Sequence, residues 1–315
     1  MIKKGWLLFI LLFPVIVPAQ KPIEVGLISD NDLYTSPIHD RYYTNGIEFF
    51  YRFLVDSDSE KLAKLIGEVR TGQYIYNPQS VYAEDINVHD RPYAGYLFAE
   101  MGANMFYKSE DILKMNFQFG IVGKKSLAED FQESLHKFLH YPTVKGWEYQ
   151  IRTIVGLQVN AFYSHKILKE RFKEKVDFHL QVDANAGTIW TGVSFGPMMR
   201  ISLKRPLLPI YESNLHGASV SKAAKDAEEQ RELYLFINPN INYQAYDATI
   251  QGSMFNDDSP VTFPLEPFRF NAETGVKYRK NNWNLSFSFN YRGKELKNNV
   301  ITGYYYGSIV VGHLF

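Results

Sequence analysis

From residue 113 to 121 the chain alternates strictly, with Leu113, Met115, Phe117, Phe119 and Ile121 on one side and Lys114, Asn116, Gln118 and Gly120 on the other. A period of two marks a strand whose faces meet unlike surroundings. The dyad recurs at 176–186, where Val176, Phe178, Leu180, Val182, Ala184 and Ala186 oppose Asp177, His179, Gln181, Asp183 and Asn185. It runs again through Ile151 to Val159, Phe268 to Tyr278 and Trp283 to Tyr291. Each run has the roughly 9–11 residues, or slightly more, that a tilted strand needs to cross a bilayer. Carried along the chain, the reading predicts strands at 22–30, 44–54, 69–77, 93–107, 112–123, 149–164, 174–187, 191–203, 231–245, 267–280, 282–293 and 302–315. Their number is even, as single-chain bacterial barrels have. The expected fold is all-β, a transmembrane antiparallel β-barrel of about 12 strands with short helical segments in external loops and the polar side chains facing a lumen.

An even count places both termini at one end. The connections at 31–43, 78–92 and 124–148 then fall on the external side, and tight turns near 108–111 and 280–282 on the periplasmic side. The segments 55–68 and 204–230 are long for periplasmic turns, and AAKDAEEQREL within the second reads as a short charged helix.

The first residues change the compartment. Lys3 and Lys4, an apolar run from Trp6 to Val17, and Val17-Pro18-Ala19 make the three regions of a signal peptide cleaved after Ala19. The run is too short to anchor a chain in a membrane. One barrel domain, 20–315, is expected to follow. Aromatic residues near strand ends, such as Tyr42, Tyr43, Tyr163 and Tyr304 to Tyr306, and a last strand ending in Phe315 add to an outer-membrane reading.

Charge and cysteine usage exclude several classes. The formal net charge is zero, which argues against nucleic acid as a partner. There is no Cys, hence no disulfide and no thiolate metal site. The chain lacks a Gly-x-Ser-x-Gly elbow and an HExxH pair, so neither a serine nucleophile nor a zinc site is supported.

Two stretches carry chemistry. Residues 29–46, SDNDLYTSPIHDRYYTNG, crowd acids, a His and two Asn between two alternating segments. Asn31, Asp32, Asp40 and Thr44 suit a hard cation such as calcium, but composition alone favours an Asx-rich turn capped by Asn45-Gly46. From Ser126 to His140 the period becomes helical, with Leu127, Phe131, Leu135 and Phe138 on one face and Glu129, Gln132, His136 and His140 on the other. An imidazole there is a general base or one of two solvated histidines.

DND and DRYYTNG, then DRPYAG at 90–95, then the segment from Gly120 to Trp147 form an ordered pattern that resembles the outer-membrane lipid A 3′-O-deacylase family, the LpxR type. The likeness extends over most of the chain and is strongest from residue 29 to 150. It implies an outer-membrane hydrolase that removes the 3′-linked acyloxyacyl group of lipid A. Asn31, Asp32, Thr44 and His136 take the positions of its catalytic and oxyanion-side residues, with His136 as base. Asp30, Asp32 and Asp40 become candidate ligands of a Ca2+ ion that polarises the ester, and Arg91 and Lys124 are candidates for the cationic contact to substrate. Asp90 and Arg91 also suit a buried ion pair fixing their loop. The partners implied are lipopolysaccharide of the outer leaflet and the membrane itself, with the protein acting as a monomer. Ser29, in place of an Asn, and His140, in place of a small residue, depart from the family pattern. A calcium-dependent phospholipase and a non-catalytic barrel, porin or adhesin, are the competing readings.

Overall fold

The computed structural model describes residues 21–35, 42–80, 83–167, 174–221, 230–256 and 258–315. The leader expected at 1–19 lies outside these residues. Twelve strands close into one barrel: β1 Ile23–Asn31, β2 Tyr42–Val55, β3 Leu62–Asn77, β4 Ala94–Tyr107, β5 Ile112–Val122, β6 Ile154–Lys166, β7 Val176–Gly187, β8 Trp190–Ser202, β9 Glu232–Asp247, β10 Phe268–Lys280, β11 Trp283–Gly293 and β12 Gly303–Leu314. Every strand pairs antiparallel with its sequence neighbours, and β1 pairs with β12 to complete the ring. Closure leaves no unpaired edge, the condition for crossing hydrocarbon with strands.

Alternation does what the sequence predicts. Met115, Phe117 and Phe119 are exposed on the outer face while Gln118 between them is buried. The exposed set continues through Phe49, Val69 and Met101 and, farther round, Val155, Leu157 and Val159. Outward from the wall there is no polar partner to satisfy, so these side chains suit lipid.

Inside, the polar sets pair. Arg70 binds Glu48 at 3.1 Å and Glu100 at 2.5 Å, and Arg52 binds Glu24 at 3.0 Å and Glu68 at 3.2 Å. Arg200 holds the buried Asp177. Paired in this way, buried charges avoid the desolvation cost of standing alone.

Three expectations are corrected. β3 begins at Leu62 rather than 69, so the loop read as 55–68 is a short turn. Tyr42, Tyr43, Tyr304 and Tyr306 do not belong to a membrane girdle: they are buried together with Ile250, Leu265 and Leu296 across the external mouth. Tyr163 and Tyr305 are exposed. The segment after β8 is not a slack periplasmic loop either. Leu207, Ile210, Leu215, Ala218 and Val220 pack inside the barrel against Leu54, Ile66, Phe106 and Ile112. The charged stretch from Ala223 lies largely outside the described residues.

Candidate active site

Side chains on one strand alternate between lumen and exterior, and the paired registers show which positions share a face. Glu24, Ile28 and Asp30 of β1 line the lumen, so Ser29 and Asn31 belong to the outer face. Asn31 pairs with Asn45 of β2, Asn45 with Ile75 of β3, and Ile75 with Gly95 of β4. One residue pair below, Ser29 meets Ile47 and Ile47 meets Gln73. Ser29, Asn31, Asn45 and Gln73 are therefore polar at positions whose parity is lipid-facing, and all four gather at one external corner.

Two pieces of loop rise over this corner. On one side, residues 32–34 form a 3-10 turn capped by Asn31, whose Oδ1 accepts from the Leu33 amide at 2.8 Å. The turn lies on β12, where a Cβ at Gly307 would meet Tyr34, and Tyr34 and Ser29 hydroxyls bond at 2.9 Å. On the other side stands helix α1, Ala128–Leu139. Gly95 explains its seat: a Cβ there would collide with Ser126 and Ala128. The glycine of DRPYAG thus lets the helix approach bare backbone, and Gln73 Nε2 donates to the Ser126 carbonyl at 2.6 Å. Ile75, Tyr93, Ala128, Val144 and Trp147 form the apolar seam beneath it.

Thr44 sits at the bulge where the β2–β3 register shifts between Tyr43 and Asn45. It is buried, and its Oγ1 has no hydrogen-bond partner among the described residues. A buried hydroxyl without a partner is rare enough to call for a ligand or a role in chemistry. Asp32, next to the Asn31 cap, is buried as well. Asn31, Asp32 and Thr44 thus come together at the β1–β2 corner.

α1 is mounted differently from its sequence pattern. Gln132, expected on the outer polar stripe, is buried and accepts from Trp147 Nε1 at 2.9 Å. Phe138 and Leu127, expected on the packed face, are exposed. The face toward the wall is built from Ala128, Phe131 and Gln132, because Trp147 satisfies the amide that the apolar count treats as outward. His136, one turn beyond Gln132, is half-buried. Its Nδ1 lies 2.8 Å from the Pro142 carbonyl. A carbonyl can only accept, so Nδ1 carries the proton and Nε2 keeps its lone pair. Glu129, two turns earlier on the same line, accepts from Gln150 at 3.1 Å, and burial raises its carboxyl above the ordinary range. His140 does not continue the stripe. It is the left-handed residue that ends the helix, at φ 59°.

Other expected residues lie elsewhere. Asp30 faces the lumen, accepting from Tyr43 at 2.8 Å, on the opposite side of the wall from the Asn31 row. Asp40 lies outside the described residues. Among those described, no three His, Cys, Asp or Glu side chains are grouped to hold a metal, so the carboxylate trio expected for calcium does not assemble from them. Arg91 is fully buried: it donates to Thr249 Oγ1 at 3.0 Å, lies 3.7 Å from Glu295 and stacks over Tyr76. The loop's ion pair is with Glu295 rather than Asp90, whose carboxylate accepts from Tyr42 and the Gln79 amide. Lys124 is exposed in the 3-10 turn that leads into α1. Asn45 was missed, because Asn-Gly reads as a turn; polar residues at lipid-facing parity were the signal that would have found it.

A family model described as outer membrane protein LpxR matches residues 6–315. Among solved structures, LpxR from Salmonella typhimurium superposes with TM-score 0.75 at 16% identity, covering 93% of this chain and 100% of that one. The β domain of the Bordetella autotransporter BrkA matches at TM-score 0.46 and 8% identity, over 93% and 98% of the two chains. The translocator domain of NalP from Neisseria meningitidis matches at TM-score 0.39 and 12% identity, over 93% and 87%. No curated protein sequence matches the chain.

Proposed function

The chain belongs to the LpxR outer membrane protein family, and from that premise we propose that it is a lipid A deacylase removing the 3′-linked acyloxyacyl group with His136 as general base. The observation that carries the mechanism is the His136 tautomer. With the proton held on Nδ1 by the Pro142 carbonyl, Nε2 is an acceptor on a helix seated against the outer wall. Such a ring takes a proton from water as that water attacks the ester carbonyl, and returns it to the leaving alkoxide.

The Asn31, Asp32 and Thr44 corner is the counterpart. Asn31 spends its Oδ1 on the 3-10 turn, which leaves its amide N–H groups as donors for a developing oxyanion. Thr44 Oγ1, buried and without a partner among the described residues, supplies a hydroxyl at the same corner. Asp32 and Thr44 are hard oxygen donors and would hold calcium, which when bound polarises the ester as a Lewis acid. Lys124, exposed beside the helix, is placed to meet a lipid phosphate.

The location favours a lipid over a soluble ester. Ser29, Asn31, Asn45 and Gln73 of the corner are at outward-facing parity, whereas side chains pack inside the lumen toward both ends. Substrate therefore reaches the site from the side, out of the leaflet.

The deciding assay is hydrolysis of purified lipid A and of glycerophospholipid side by side, with mass spectrometry of the products. Loss of the 3′-linked acyl group from lipid A alone is expected. Cleavage of phospholipid alone replaces the reading by a phospholipase, and an unchanged acyl pattern in both leaves a barrel without this reaction. Excess chelator should abolish activity reversibly, and full activity in its presence would remove calcium from the mechanism.

A further inference from the structure

α1 has a second edge that the proposed chemistry does not use. Leu127, the left-handed residue that caps its start, and Phe138, in its last turn, are both exposed. Phe138 is 78% exposed and Leu127 55%. Leu139 and Tyr141 at the helix end are exposed too. This edge is separate from the water-facing stripe, which is Asp130, Glu133 and Lys137. It is separate also from the side that carries Glu129 and His136.

We infer that the Leu127–Phe138 edge of α1 is seated in the outer leaflet beside the barrel, so that the helix is an interfacial lipid contact as well as a wall of the site. Continuity with the membrane-facing surface identifies the occupant. α1 rests on the outer face of β3 and β4, over Ile75 and Gly95. The next register row on that face runs from Gln73 through Leu97 and Ile121 to Val155, and Val155 is 60% exposed within the lipid-facing set. The seat of the helix is thus one register row above a row that joins the apolar belt of the strands. Charge fits the same partner: Lys124 and Lys125 are exposed immediately before Leu127, where anionic headgroups would lie above the acyl chains. A large exposed apolar group on an amphipathic helix is the pattern of segments that lie in an interface plane. The inference depends on the barrel's membrane placement and not on the proposed hydrolysis.

The chain has no Cys, so single-cysteine variants accept one spin label each. Phe138→Cys, Lys137→Cys and Met101→Cys are labelled with a nitroxide and reconstituted, full length, in phosphatidylethanolamine and phosphatidylglycerol vesicles. Collision with oxygen, which concentrates in hydrocarbon, is compared with collision with a water-soluble nickel chelate. The oxygen-to-nickel ratio at 138 is expected to approach that at Met101, on the lipid-facing wall, and to exceed that at 137 several-fold. A ratio at 138 equal to that at 137 overturns the inference. Heat-modifiable migration in gels confirms the folded barrel, and if Phe138→Cys does not fold, Leu127→Cys decides by the same comparison. Because the readout is probe depth, its failure is distinct from failure of the deacylase reading, which the lipid A assay tests.

Discussion

His136 and His140 look equivalent in the sequence, and the backbone separates them. His136 is helical, with its ring oriented by the Pro142 carbonyl. His140 holds φ 59° at the C-terminal cap, a conformation that costs a residue with a Cβ about 1–2 kcal/mol and glycine almost nothing. His136→Ala should leave the barrel folded and lower the rate about 10²–10⁴-fold, the contribution of positioned proton transfer. His140→Gly should keep activity and stabilise the helix end slightly. Equal losses at both positions would identify a damaged helix instead of a missing base. The wild-type rate should fall on the acid side of its pH profile, since a protonated ring has no lone pair to accept the water's proton. His136→Ala should lose that limb along with most of the rate. Steady-state hydrolysis of lipid A across pH, for the three proteins, checks all of this.

At the scale of elements, α1 is the part most sensitive to its support. Nothing covalent fixes it near the Asn31 corner; it is held by the apolar seam and by the bare backbone of Gly95. Gly95→Val leaves a good strand residue in β4 and drives its side chain into Ser126 and Ala128. Overpacking of this kind costs roughly 1–3 kcal/mol, which is expected to lift the helix rather than open the barrel. Activity should be lost while heat-modifiable migration is retained, and an active Gly95→Val enzyme would show that the helix seat is not needed. The strands were legible because each obeys a period of two imposed by lipid on one side and lumen on the other. Their starts failed only at β3 and β6. In β6 Ile151 continues the alternation yet is buried outside the strand, in the packing around Tyr96 and Ile189. Helix position was legible too, but not its orientation, because a count of apolar faces cannot foresee that Gln132 finds a buried partner in Trp147. The same limit applies to Asp30 and Asn31. They are adjacent in sequence, and it is the extension of β1 to Asn31, one residue past the expected end, that puts them on opposite sides of the wall.

At the scale of the whole molecule, the described residues line a polar cavity of about 720 Å³ inside the barrel. The periplasmic end is filled by the segment after β8. Its apolar side chains join the core around Phe106 and Phe236. Its backbone is tied to the wall by Lys64 to the Ala218 carbonyl at 2.7 Å, Arg279 to the Glu212 carbonyl at 3.0 Å and the Asn214 amide to Glu232 at 2.7 Å. The external end is narrowed independently by the tyrosine cluster, in which Tyr43 and Tyr306 ring centroids are 4.8 Å apart. Packed side chains toward each end narrow the path that hydrated ions need. The purified protein in a planar bilayer should therefore carry no steady current, which distinguishes it from a porin. Replacing residues 206–220 by a short turn removes one barrier and leaves the other, so the current should stay near baseline. Combining that change with Tyr43→Ser and Tyr306→Ser opens both ends and should produce discrete conductance steps. Steps from the unmodified protein would show that the two closures are not maintained together in a membrane.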